Sequence, residues 1–96
     1  MTLDEFMETT RAPEPPGGIS TALLALWHDA RGDWQTAHAL AQDLADRDGA
    51  WVHAYLHRRE GDVGNASYWY RRALRPVAKT TIEEEWEDIV TAFLGG

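Results

Sequence analysis

The sequence predicts an all-α protein of one domain. Three observations carry that expectation. Helix-start signals stand ahead of apolar runs of helical period, Pro and Gly cut those runs at short intervals, and two of the resulting segments match each other in register.

The first element is announced by Thr2 and Glu5, a T-x-x-E capping box ahead of Leu3, Phe6 and Met7, which places an N-terminal helix within residues 1–11. APEPPGG then breaks the chain, because Pro lacks the donor a helix needs and Gly resists ordering, so residues 12–19 read as a linker. Ser20 is placed to cap a second helix through LLALWHDA. Gly32-Asp33 ends it and starts the next, with Asp33 as N-cap of WQTAHALAQDLA. DRDG, residues 46–49, is expected to end that helix. A fourth runs through WVHAYLHRRE, Gly61-Asp62 repeats the break, and a fifth carries NASYWYRRAL up to Pro76. Thr81 and Glu84 form a second capping box for TIEEEWEDIVTAFL, within residues 80–94. There Ile82, Trp86, Ile89, Val90, Phe93 and Leu94 share one face and the acids the other.

Composition narrows the function classes. Ninety-six residues suit one modest core, and 44% hydrophobic with 26% charged residues reads as globular. With no cysteine, disulfides, thiolate nucleophiles and thiolate-bound metals are excluded. No stretch approaches a membrane span, and the opening MTLDEFMETTRA is acidic where a signal peptide is basic and then apolar. A cytoplasmic protein without a membrane partner is expected. The net charge of −7 is unevenly spread: −6 over residues 1–50, +4 over 51–79 and −5 over 80–96. A basic segment between two acidic ones favours internal or homotypic pairing over affinity for nucleic acid.

The Gly-Asp breaks lie 29 residues apart, and the register holds around them. Ala25 matches Ala54, His28 matches His57, Gly32 matches Gly61, Asp33 matches Asp62 and Ala37 matches Ala66. Leu26, Trp34 and Leu40 face the equally bulky Tyr55, Val63 and Trp69. This is an internal repeat of a helix–turn–helix unit, with repeat 1 at residues 20–46 and repeat 2 at 49–76.

The unit resembles a tetratricopeptide repeat, including its Sel-like variant. Ala25 and Ala54 stand where that family keeps a small residue, G-D-W and G-D-V match its turn, Ala37 and Ala66 match the small residue opening its second helix, and NASYWYRRAL with Pro76 matches its ending. The resemblance covers residues 20–76, about 60% of the chain. The spacing of 29 departs from the family's 34, and His replaces its Tyr in the first helix. Two units fall short of the three or so such repeats need, so the flanking helices or a second subunit must complete the core. The strings around GDWQTAH and HAYLHRREGDVGNASYWYRRA are similar to small bacterial proteins of unknown function, which implies no activity.

The resemblance implies a non-catalytic module that binds a protein, a peptide or a second copy of itself. Trp51, Tyr55, Arg58 and Arg59 would border the concave face, where aromatic walls and guanidinium forks suit peptide side chains and carboxylates. The alternative is a small metal-binding protein. His53 and His57 are one helical turn apart, His28 is the repeat-mate of His57, and His38 lies on the partnering helix. Against it, His28 and His57 fall at packing positions, H-E-x-x-H is absent, and no cofactor is expected. Tyr68, Arg71, Arg72 and Arg75 form a basic aromatic stripe of the kind that stacks bases, but the acidic chain argues against that use. Ser20 and Ser67 lack a nucleophile elbow, PPGG lacks the strand and lysine of a phosphate loop, and no acid–base constellation points to an enzyme. Gly95-Gly96 reads as a frayed end. The last helix is expected on the second hairpin, with Trp86, Ile89 and Phe93 inward and its acids near Arg71, Arg72 or Arg75.

Overall fold

Each helix of the computed structural model starts at a side chain that caps it. The structure describes residues 1–95, and Gly96, with it the second residue of the diglycine end, lies outside them. Among the described residues there are six helices and no strand: α1 (Leu3–Thr9), α2 (Thr21–Ala30), α3 (Trp34–Gln42), α4 (Arg47–Arg59), α5 (Val63–Arg72) and α6 (Ile82–Phe93). The caps are Thr2, Ser20, Asp33, Asp46, Asp62 and Thr81, and both expected capping boxes form. No helix among the described residues is long and apolar enough to cross a membrane.

The two Gly-Asp breaks have the same backbone. Gly32 and Gly61 take φ of 81° and 87°, a left-handed conformation that other residues adopt only at a cost. Gly32 N–H donates to the Asp29 carbonyl and Asp33 N–H to that of His28. Gly61 and Asp62 repeat this with Arg58 and His57. This is the Schellman closure, and its last residue is also the N-cap of the next helix, its carboxylate accepting from Thr36 or Asn65 N–H. Three residues therefore turn the chain, and α2 packs on α3 as α4 packs on α5.

DRDG does not serve as a stop. Asp46 accepts from Gly49 N–H and so caps α4, which begins at Arg47 rather than near Trp51. Gly49 is buried, and a Cβ there would stand 2.3 Å from Leu44 Cβ, so glycine permits the close passage of the α3–α4 turn.

Helix α3 also packs on α4, and α6 lies across both α4 and α2. The expected seat on the second hairpin is thus corrected: α6 bridges the first helices of both hairpins. Trp86, Ile89 and Val90 are buried there, while Phe93 is half-buried, edge-on to Trp51. Trp86 Nε1 donates to the Leu26 carbonyl at 3.0 Å. Helix α1 closes over α6, with Phe6 fully buried against Trp86, and Trp27 Nε1 ties it down through the Thr9 carbonyl. The flanking helices complete the core that two hairpins leave open. Helix α5 packs on α4 and reaches α6 through the hydrogen bond of Tyr70 to Glu85.

Candidate functional site

Helix α4 is the centre of both sets of residues that the sequence singles out. On the flank facing α6, Trp51 and Tyr55 are buried, Arg58 is mostly covered and Arg59 is 41% exposed. This face is not open, because α6 occupies it. Glu85 of α6, 2% exposed, accepts from Trp51 Nε1 at 3.2 Å, from Tyr70 Oη at 2.6 Å and from Arg58 at 2.8 Å. Arg58 also donates to the Thr80 carbonyl. The acid partner of the basic segment is therefore bound to Arg58, not to Arg71, Arg72 or Arg75. Arg72 instead lies over the Tyr68 and Trp69 rings, and Arg75 over Trp51. Burial, then the bond to Glu85 and its charge, raise the Tyr70 hydroxyl above its ordinary pKa, so it stays a donor.

Next to this network, Asp29 of α2 is buried and accepts from Tyr55 Oη at 2.6 Å. Its Oδ1 has no hydrogen-bond partner among the described residues. Arg59 Nε stands 3.2 Å away, an ionic contact without hydrogen-bond alignment. Burial raises the Asp29 pKa, against the lowering effect of Tyr55 and Arg59, while burial and then Asp29 raise that of Tyr55. A cleft of about 260 Å³ opens here between Met7, Thr10, Asp29, Tyr55, Arg59 and Trp86.

On the opposite flank of α4 the histidines gather. His53 and His57, both buried, stack at 4.8 Å between ring centroids, and His38 of α3 stands edge-on to both. His38 Nε2 and His53 Nε2 are 3.0 Å apart, and one ligand nitrogen from each of the three rings lies within 4.8 Å of the others. His57 Nδ1 meets Glu60 Oε1 at 2.6 Å. The indoles of Trp34 and Trp69 stack on His38 and His53, at 4.7 and 3.9 Å. Burial, then the charges of His38 and His57, bring the His53 pKa down to about 4. Burial, then the charge of His57, lowers the His38 pKa, against the opposing effect of Glu60.

His28 is not part of this cluster. It sits half-buried at the end of α2, edge-on to Trp27, with Nδ1 3.9 Å from Asp33 Oδ2. His38 takes the third place expected of it. Sequence reasoning also missed Glu85 and Asp29. Both signals were present: Glu85 falls three residues after Ile82 and four before Ile89, within the apolar stripe. Asp29 follows Ala22, Ala25 and Leu26 on the buried face of α2.

No protein-family model, no curated protein and no solved structure matches the chain.

Proposed function

We propose that the protein is a small helical interaction module of two tetratricopeptide-like hairpins, with α6 seated in its own inner groove and α5 as the face offered to a partner protein. One observation carries this reading: α5 packs on α4, with Tyr70 reaching Glu85 of α6, and its outer side leaves Val63, Tyr68, Arg71 and Arg72 exposed, with Leu74 just past its end. In a longer array the next unit would cover that edge. A partner on the inner face of Trp51, Tyr55, Arg58 and Arg59 must first displace α6.

The partner that fits α5 is an acidic amphipathic segment. Tyr68 and Arg72 combine an aromatic body with a guanidinium fork, the residue types that dominate interface energetics. The outer face of α6 in a second copy supplies the acidic part of that character, with Glu83, Glu84 and Asp88 exposed. Sedimentation velocity over a range of concentrations and salt tests this directly. The expected result is reversible association that weakens with salt and is lost in the Arg71→Glu, Arg72→Glu double variant. A synthetic peptide of residues 80–96 serves as a second probe and should bind wild type but not that variant. A chain that stays monomeric and ignores the peptide would end the reading.

A further inference from the structure

We propose that His38, His53 and His57 form a binding site for one divalent transition-metal ion of the zinc class, with Glu60 orienting the ring of His57 from behind. The site does not depend on the interaction face at α5, and a different set of observations supports it.

The three rings come from two helices that pack directly. The i, i+4 spacing on α4 turns His53 and His57 to one side, and α3 brings His38 over them. Their ligand nitrogens already lie within 4.8 Å of one another. Around a tetrahedral ion with metal–nitrogen bonds of 2.0–2.1 Å, neighbouring nitrogens stand about 3.3 Å apart. The 3.0 Å between His38 Nε2 and His53 Nε2 is within a few tenths of that value. The wider pairs must close by no more than about 1.5 Å, and His38, half-buried, is the ring with room to turn.

The surroundings are those of a ligand set rather than three independent packing residues. His57 Nδ1–H donated to Glu60 leaves Nε2 with its lone pair, and a carboxylate behind a ligating imidazole fixes tautomer and ring plane. The Trp34 and Trp69 planes hold His38 and His53 from outside, and Trp34 is itself anchored by Nε1 to the Leu56 carbonyl. In the metal-free protein the His38–His53 contact needs one Nε2–H and one Nε2 lone pair. Binding moves that proton to Nδ1 of the same ring, so no net proton is lost. Neutral imidazoles suit zinc, nickel or copper and not the oxygen-seeking magnesium or calcium. A fourth position is left to water.

Isothermal titration of the chain, free of any histidine tag, with zinc at neutral pH tests the site, with magnesium as the control ion. One zinc per chain and no magnesium response are expected. His38→Gln should weaken zinc binding at least tenfold. Glu60→Gln should weaken it by about ten- to a hundredfold at unchanged stoichiometry, as expected for a group behind the ligand. Far-UV circular dichroism establishes that each variant is folded. On wild type, imidazole nitrogen shifts measured by NMR should move for His38, His53 and His57 and stay fixed for His28. Absence of zinc binding, binding that survives His38→Gln in a folded variant, or shifts confined to His28 would each overturn the proposal.

Discussion

The two flanks of α4 are both rich in polar atoms, yet they are built on opposite principles. Toward α6, a buried carboxylate meets two neutral donors and a guanidinium, and every Glu85 oxygen is engaged. Toward α3 and α5, three imidazoles lie between two indoles, with one carboxylate behind the group. The first flank is closed upon itself and acts as a clasp for the C-terminal helix. The second keeps lone pairs that the fold does not use up. Charge on one side and neutrality on the other follow from what each flank can pair with, since an unpaired buried charge is costly and an unpaired lone pair much less so.

The largest effect should come from removing the clasp altogether. Without residues 80–96, the faces of α2 and α4 that hold Trp51, Leu26 and Tyr55 meet water, and the truncated chain should fail to show a cooperative melt by circular dichroism. Trp86→Ala, which empties a nearly buried indole site and orphans the Leu26 carbonyl, should cost about 3–5 kcal/mol in urea unfolding. A folded, monomeric truncation would make α6 a detachable arm and the clasp irrelevant to stability.

Most of the fold was legible because its signals are local. Caps such as Thr2, Asp33 and Thr81, and the left-handed glycines 32 and 61, act within a turn of themselves, so the sequence carries them intact. The seat of α6 was not legible, since it depends on which of two apolar surfaces is wider once the hairpins exist. The same limit explains the histidines. Repeat register singles out His28 as the mate of His57, but equivalent residues of successive hairpins are not neighbours, whereas His38 faces His57 through the packing of α3 on α4. Arg58 was singled out from its position beside Tyr55 and Trp51, and its actual partner is a glutamate 27 residues away.

The flanks should also part in their response to pH. His53 titrates near its ordinary 6.5 when unfolded and near about 4 when folded. Between these values the unfolded chain holds the extra proton. Stability is therefore complete above pH 6.5 and falls as pH drops toward 4, by up to about 3 kcal/mol. His38 works in the same direction, and Asp29, with its raised pKa, in the opposite one. Urea midpoints at pH 7 and pH 5 should differ in wild type, and the difference should shrink in His53→Gln. Equal midpoints would mean that the imidazoles are not held neutral by burial.

Substitution within the clasp itself comes next. Glu85→Gln keeps the shape and one acceptor but leaves the mostly covered Arg58 without its counter-charge. A cost of about 2–3 kcal/mol is expected by urea unfolding, with little dependence on salt because the pair is shielded from ions. A loss that vanishes in high salt would place the pair at the surface rather than beneath α6.

The smallest effect concerns the end of α5, where the turn chemistry of the two Gly-Asp breaks recurs with the wrong residue. Leu74 N–H donates to the Arg71 carbonyl and Arg75 N–H to that of Tyr70, the same closure seen at Gly32 and Gly61. Leu74 reaches it at φ 57°, a conformation that costs a side-chain-bearing residue about 1–2 kcal/mol. Its side chain recovers little of that cost, being 67% exposed. Glycine would relieve the crowding, offset in part by the roughly 0.5–1 kcal/mol of extra chain entropy it gives the unfolded state. Leu74→Gly should therefore raise stability by about 0.5–1 kcal/mol, whereas Gly61→Leu, the reverse exchange at the equivalent place in α4, should lower it. If Leu74→Gly instead destabilises the monomer, Leu74 makes a contact that outweighs its backbone cost. If it leaves the monomer more stable but weakens association, the strained leucine is retained for the partner that covers α5.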